Sequence, residues 1–161
     1  MDNSDFNQKI NVRQKGLALL PNPASIVDMY AGEGHISRSL WSKFNADLTC
    51  IEKDQWKVDL LDFCCVKICD DNRNHIKLAA KSDVVDLDAY GLVFNNLKTI
   101  LDTSCKTQLI FFTESNPFCK FMSKTVDELI KLDITAFWIE KSNQSNVYYG
   151  YVYRKIQTTK N

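Results

Sequence analysis

The sequence is sparing with the residues that most often interrupt regular structure: 5 glycines and 3 prolines in 161 positions. That scarcity excludes Pro/Gly-rich low-complexity tracts and collagen-like repeats. Net charge is missing as well, because Lys plus Arg and Asp plus Glu both number 20. No chain-wide field therefore points to nucleic acid or an anionic membrane, and any basic surface has to be local. No apolar run approaches the roughly 20 residues that span a bilayer. No secretory signal is recognised at the N-terminus, so a cytoplasmic protein with no membrane partner is expected.

The 6 cysteines (Cys50, Cys64, Cys65, Cys69, Cys105 and Cys119) include no Cys-x-x-Cys pair. Without that pair the usual zinc spacing is lacking, even though His75 follows Cys65 and Cys69. A chain of this length buries roughly 70% of the surface its unfolded form exposes and needs no disulfide framework. Reduced thiols and no metal site are expected.

What the chain does contain is alternation. Strand patterns occupy Ser25–Tyr30, Asp47–Ile51, Val66–Cys69, Asp83–Asp88, Thr107–Thr113, Thr135–Glu140 and Val147–Arg154. Helical patterns lie at His35–Phe44, Gln55–Phe63, Asn74–Ala80, Leu92–Leu101 and Pro117–Leu132, with Ile36, Leu40 and Phe44 on one face and Trp56, Leu60 and Phe63 on another. Strands alternating with helices imply an α/β fold, a mostly parallel sheet with helices on both faces. The last two strands are joined by KSNQSN alone, too short for a parallel crossover, so they form an antiparallel hairpin. Gly150, within VYYGYVYR, marks a bulge or a close contact. Residues 1–24, where Val12, Leu17 and Leu20 share one side of a short helix, are expected to cap a single domain over 25–154. Residues 155–161 form a polar, frayed tail.

The stretch SIVDMYAGEGHISRSLW runs from strand to helix through Gly32 and Gly34. Ligands of open parallel sheets gather at such carboxyl ends, and glycines let a ligand approach where a side chain would collide. A dinucleotide fingerprint asks for a third glycine or alanine, and Ser37 stands there instead. Asp28 discriminates further: it would repel a pyrophosphate and attract a cationic cofactor. Glu52 closes the second strand, placed for a ribose diol, and Asp70 and Asp71 close the third.

This set, D-x-Y-x-G-x-G followed by IE and CDD, resembles the S-adenosylmethionine site of class I methyltransferases. The resemblance covers Ser25 to Arg154 and implies a single-domain Rossmann-like fold of seven strands. Carried over, Asp28, Tyr30, Gly32 and Gly34 surround the methionine part and the sulfonium, Glu52 binds the ribose, and Asp70 or Asp71 binds the adenine amino group. The end of the fourth strand, DVVDLDAYG, resembles motif IV of amino-methylating nucleic-acid enzymes, and most closely the D-L-D-P-F-G form of tRNA guanine-N2 dimethyltransferases. The resemblance implies that Asp88 orients or deprotonates the target amine, Tyr90 stacks on the base and Asp86 supports from within the strand. Ala89 replaces the proline of that pattern, which leaves the loop less stiff.

Glu114 is expected either on the same edge of the sheet or as a solvated strand end. His35 has a structural role or edges the pocket, and His75 lies on the surface. The Tyr148, Tyr149, Tyr151 and Tyr153 ladder is read as cross-strand packing. The implied activity is methylation of an amine on RNA or DNA. The alternatives are a partner-dependent or non-catalytic cofactor-binding module and a small-molecule methyltransferase, with a nicotinamide-dependent dehydrogenase last. Phosphate contact requires clustered cations. Arg13, Lys15, Lys120, Lys124, Arg154 and Lys155 are the candidates for such a rim, and a partner subunit or homodimer is the candidate for supplying what they do not.

Overall fold

In the computed structural model, residues 5–89, 94–104, 106, 108–115, 127, 130–143 and 147–155 are described. Their apolar runs form strands β1 (Ser25–Asp28), β2 (Asp47–Glu52), β3 (Val66–Cys69), β4 (Val84–Leu87), β5 (Gln108–Ser115), β6 (Ala136–Lys141) and β7 (Val147–Arg154). These make one sheet in the order β3-β2-β1-β4-β5-β7-β6. Strands β1 to β5 pair in parallel, whereas β7 lies antiparallel between β5 and β6. The expected terminal hairpin thus enters the sheet with its second strand innermost.

Alternation along the strands sorts side chains onto two faces. Ile26, Cys50, Val84, Leu109 and Phe111 pack with Val12 and Leu17 of α1 (Phe6–Leu17), Ile36 of α2 (His35–Ser39) and Leu40 and Trp41 just beyond it. Val27, Ile51, Val85, Ile110 and Phe112 pack on the opposite face with α4 (Ile76–Ala79) and α5 (Phe94–Thr103), through Ala79, Leu97, Ile100 and Leu101. Strands apolar on both faces are what a doubly covered parallel sheet requires. Gly150 is a close contact: a Cβ there would stand 2.5 Å from both Phe112 Cζ and the Trp138 carbonyl oxygen.

The helices are shorter than their patterns suggest. After α2 the chain leaves α geometry at Leu40 (φ −124°, ψ −64°), and Trp41–Lys43 form a 3-10 turn with Trp41 fully buried. Helix α3 (Gln55–Asp59) stops early, so the expected face of Trp56, Leu60 and Phe63 does not form. Trp56 and Leu60 are exposed and Val58 and Leu61 are buried instead, because five residues are too few to carry a helical stripe through position 63. Residues 72–75 form a 3-10 turn ahead of α4. The helix expected over 117–132 lies largely outside the described residues.

Helix α1 does more than cover the sheet. Arg13, 1% exposed, donates from Nε and Nη2 to the two oxygens of Asp86, at 2.7 and 2.6 Å, and Trp41 Nε1 donates to the same carboxylate at 2.9 Å. Lys9 donates to Asp88 at 2.9 Å. At the hairpin, Gln8 and Lys15 donate to Glu140, and Asp5 accepts from Ser142 and Tyr149. The N-terminal segment is thereby fastened to both the end of β4 and the antiparallel strands.

A buried carboxylate deprived of its cation is costly. Arg13→Met is expected to lower unfolding free energy in urea by about 3–5 kcal/mol, and Arg13→Met with Asp86→Leu to recover most of that loss. Equal destabilisation by the single and double variants would mean that the pair does not anchor α1.

Candidate functional site

Chain connections leave β1 toward one face of the sheet and β4 toward the other, so the carboxyl ends of these neighbouring strands part. A cavity of about 610 Å³ opens there. Its walls carry Asp28, Tyr30 and Gly32 from β1 and the turn after it, Glu52 from β2, Asp70 and Asp71 after β3, and Asp88 and Ala89 after β4. Gly34 and Asp86 do not line it, and Tyr90 lies outside the described residues. Asp86 is 0% exposed beneath the cavity, enclosed by Arg13 and Trp41, so it reaches the site only through its neighbours.

The turn depends on its glycines for two different reasons. Gly32 (φ 54°) adopts a left-handed conformation on the cavity wall, where a Cβ would meet no more than the Tyr30 carbonyl oxygen at 3.9 Å. Gly34 (φ 79°) is required by packing as well, since a Cβ would meet Leu61 Cδ2 at 2.6 Å. Glu52 stitches this turn to the next loop. Its Oε2 accepts from Gly32 N at 3.0 Å and its Oε1 from Asp54 N at 3.1 Å.

Asp28, 2% exposed, accepts from Tyr30 N at 3.1 Å and from Ser37 Oγ at 2.6 Å. Ser37, the departure from a dinucleotide pattern, is thus a partner of the acid that distinguishes this turn. Burial, reinforced by Asp86, pushes the Asp28 carboxyl up to about 7 despite the bonds from Ser37 and Tyr30. Asp88 goes the other way. Burial raises it, but Arg13 and Lys9 together with the Thr113 hydroxyl (2.6 Å) outweigh burial and hold it below its ordinary value. An acid in that state accepts hydrogen bonds and is a poor proton acceptor in catalysis.

Beyond β3, Asp70 accepts from the Asp71 N–H and from Asn74, and meets His75 Nε2 at 2.9 Å. His75 is therefore half-buried and bonded rather than a plain surface residue. Asp71 accepts from Arg73 at 2.5 to 3.1 Å, which with the Arg73 backbone N–H holds its carboxyl down to about 2. Tyr30 reaches across the cavity, where Asn96 Nδ2 donates to its hydroxyl at 3.0 Å.

Other expectations divide. His35 does edge the cavity, beside Glu33 at 3.5 Å. Glu114 is neither a solvated strand end nor on the cavity wall; at 3% exposed it is buried where β5 pairs with β7. Tyr149 and Tyr153 are core residues. The candidates for a basic rim divide. Arg13 is buried and Arg154 donates to the carbonyls of Leu101 and Ser104, whereas Lys15, paired with Glu140, and Lys155 remain exposed, and Lys120 and Lys124 lie outside the described residues. Among the described residues no cluster of three or more metal-ligating side chains occurs.

Phe6 and Lys9 of α1 also face the cavity, and residue-level reading of the sequence had missed both. Their spacing with Arg13, i, i+3 and i+7, puts all three on one helical face. That spacing was the available signal, but it does not say which sheet edge the face meets.

No family model matches the chain, and no curated protein matches its sequence. Solved structures do match. The plantazolicin methyltransferase BpumL, crystallised with a triazolic desmethylPZN analogue and SAH, is 13% identical with a TM-score of 0.72, over 95% of this chain and 85% of that one. The putative methyltransferase yhhF of Escherichia coli is 17% identical with a TM-score of 0.61, over 91% of this chain and 87% of that one. The tRNA m1G37 methyltransferase of M. jannaschii is 16% identical with a TM-score of 0.60, over 91% of this chain and 49% of that one. The chain has the Rossmann-like fold of these methyltransferases.

The raised Asp28 gives a signed pH dependence. Between pH 3.8 and about 7 the unfolded chain has lost a proton that folded Asp28 retains, so this group makes stability fall as pH rises through that window. Subtracting the stability-against-pH curve of Asp28→Asn from that of the parent should leave this downward slope. Parallel curves would mean that Asp28 does not titrate there.

Proposed function

We propose that the protein is an S-adenosylmethionine-dependent methyltransferase acting on an amine of a nucleic-acid base. The observation that carries this reading is the convergence of Asp28, Glu52, Asp70, Asp71 and Asp88, from the ends of four strands, on one cavity where β1 and β4 part. The donor group set fits the cofactor. Acids that would repel a pyrophosphate suit a ligand bearing a sulfonium and an ammonium, and Glu52 stands where a ribose diol is bound in open α/β sheets.

The donor brings a methyl group already activated by its sulfonium. What remains for the chain is alignment and hydrogen bonding. Glu52 accepts from the ribose hydroxyls, Asp70 or Asp71 from the adenine amino group, and Asp28, its raised proton affinity lowered by the adjacent cation, meets the cationic part as a carboxylate. Asp88 orients the acceptor by taking one of its N–H bonds. Held as a carboxylate by Arg13 and Lys9, it aims the nitrogen lone pair rather than deprotonating it. A neutral amine needs no prior deprotonation to attack, and its surplus proton leaves after transfer. A partner subunit or a second copy supplies phosphate contacts on this reading, because Arg13 and Arg154 are committed internally.

A second reading is favoured by one observation: Asp88 is already engaged by Lys9, Arg13 and Thr113, and Ala89 stands where the resembling motif has proline. It makes the chain a cofactor-binding module that becomes active with a partner.

Calorimetry with S-adenosylhomocysteine tests the cofactor half. The parent should bind, Asp28→Ala should weaken binding at least 100-fold, and Glu52→Gln should weaken it about 10- to 100-fold through loss of a charge-assisted bond worth about 1.5–3 kcal/mol. A flat titration for the parent would sink the cofactor claim. Incubation with radiolabelled methyl donor and separate tRNA, rRNA, DNA, protein and metabolite pools tests the acceptor half. Label in a nucleic-acid pool is expected, label confined to metabolites selects a small-molecule enzyme, and label appearing only with an added partner selects the module.

A further inference from the structure

Helix α1 turns two unlike side chains toward the acceptor end of the cavity. Phe6 is half-buried, packed on one side against the core cluster under α1 and lining the cavity on the other. Lys9, one turn on, lines the same cavity with its ammonium on Asp88 at 2.9 Å, and Arg13 lies behind at 3.5 Å from that carboxylate. Ala89 and Ile36 complete this end. It combines an apolar wall carrying an aromatic face with a carboxylate already neutralised by two cations.

That pairing discriminates among acceptors. An aliphatic ammonium or a guanidinium would have to displace Lys9 to reach Asp88, since its charge competes for a site that is taken. A neutral amine on a planar ring needs one carboxylate lone pair, and a carboxylate offers about four. The ring itself gains by lying against an aromatic face, as bases do in single-strand binding proteins.

Resting on the methyltransferase reading, we infer that α1 is the acceptor-recognition element of this chain. Phe6 stacks a neutral, planar amino-heterocycle whose amine reaches Asp88, and Lys9 excludes cationic amines by occupying that acid first. In the reaction the amine nitrogen forms the N–CH3 bond as the sulfonium S–CH3 bond breaks, the S–C electron pair stays on sulfur, and the nitrogen's surplus proton passes to water.

The test uses the full chain with radiolabelled S-adenosylmethionine and two acceptor sets: mixed single-stranded RNA and DNA oligonucleotides, and lysine- and arginine-rich peptides. Label is expected in oligonucleotides. Phe6→Leu, which keeps an apolar residue under α1, should raise KM for them at least tenfold with kcat changed less than threefold, and Phe6→Tyr should restore KM to within threefold. Calorimetric affinity for S-adenosylhomocysteine should stay within twofold for both variants, which a merely structural role of Phe6 would not preserve. Lys9→Met should admit the peptides at a rate at least fivefold above the parent's.

Failure of the parent to bind S-adenosylhomocysteine would remove the methyltransferase reading and this inference together. Binding with label only in peptides, with no label in either set, or with unchanged KM for Phe6→Leu would overturn the inference alone.

Discussion

A guanidinium withdrawn from water must be matched, and the bidentate pair between Arg13 and Asp86 is the constraint on which the site depends. Neither charge is tolerable there without the other. The pair draws α1 across the end of β4, and Trp41 closes the same carboxylate from α2's side. Three neighbouring acids are then sorted by what surrounds them. Asp86 is enclosed with its cation, Asp88 is held ionised by Arg13 and Lys9 against its burial, and Asp28, desolvated by burial and facing the charge of Asp86, is pushed toward neutrality. Acids of like type driven apart by their surroundings are how a single fold separates binding from orienting roles.

The glycine turn adds a second constraint. Gly34 is there because Leu61 and the left-handed backbone leave no place for a side chain, and Gly32 because its backbone is left-handed on the cavity wall. Glu52 joins the two functions. The backbone N–H groups of Gly32 and Asp54 fix its carboxylate, so a side chain on the cavity wall also holds the loop that shapes it.

The strands were legible because burial on two faces writes uninterrupted apolar runs, and the acids at strand ends were legible because spacing alone brings them to one edge. Helix lengths were less so. Leu40 breaks α2 and the five residues of α3 leave Trp56 and Leu60 in solvent, outcomes set by how each short connection must land on the next strand rather than by periodicity. Glu114 and Arg13 were misread for a shared reason: sequence marks a charge as polar and says nothing of a partner waiting in the interior.

Taken alone, the sequence determined the α/β class, the terminal hairpin, the glycine turn and the order of acids along one sheet edge, all consequences of local periodicity and of strand ends sharing a side. Only the tertiary structure decided that α1 belongs to the site. It likewise decided that Asp86 lies beneath the cavity while Asp88 faces it, and that Asp28 and Asp88 differ in proton affinity. Those outcomes depend on distances between residues some 60 to 80 positions apart and on how little water reaches them. No local pattern carries either quantity.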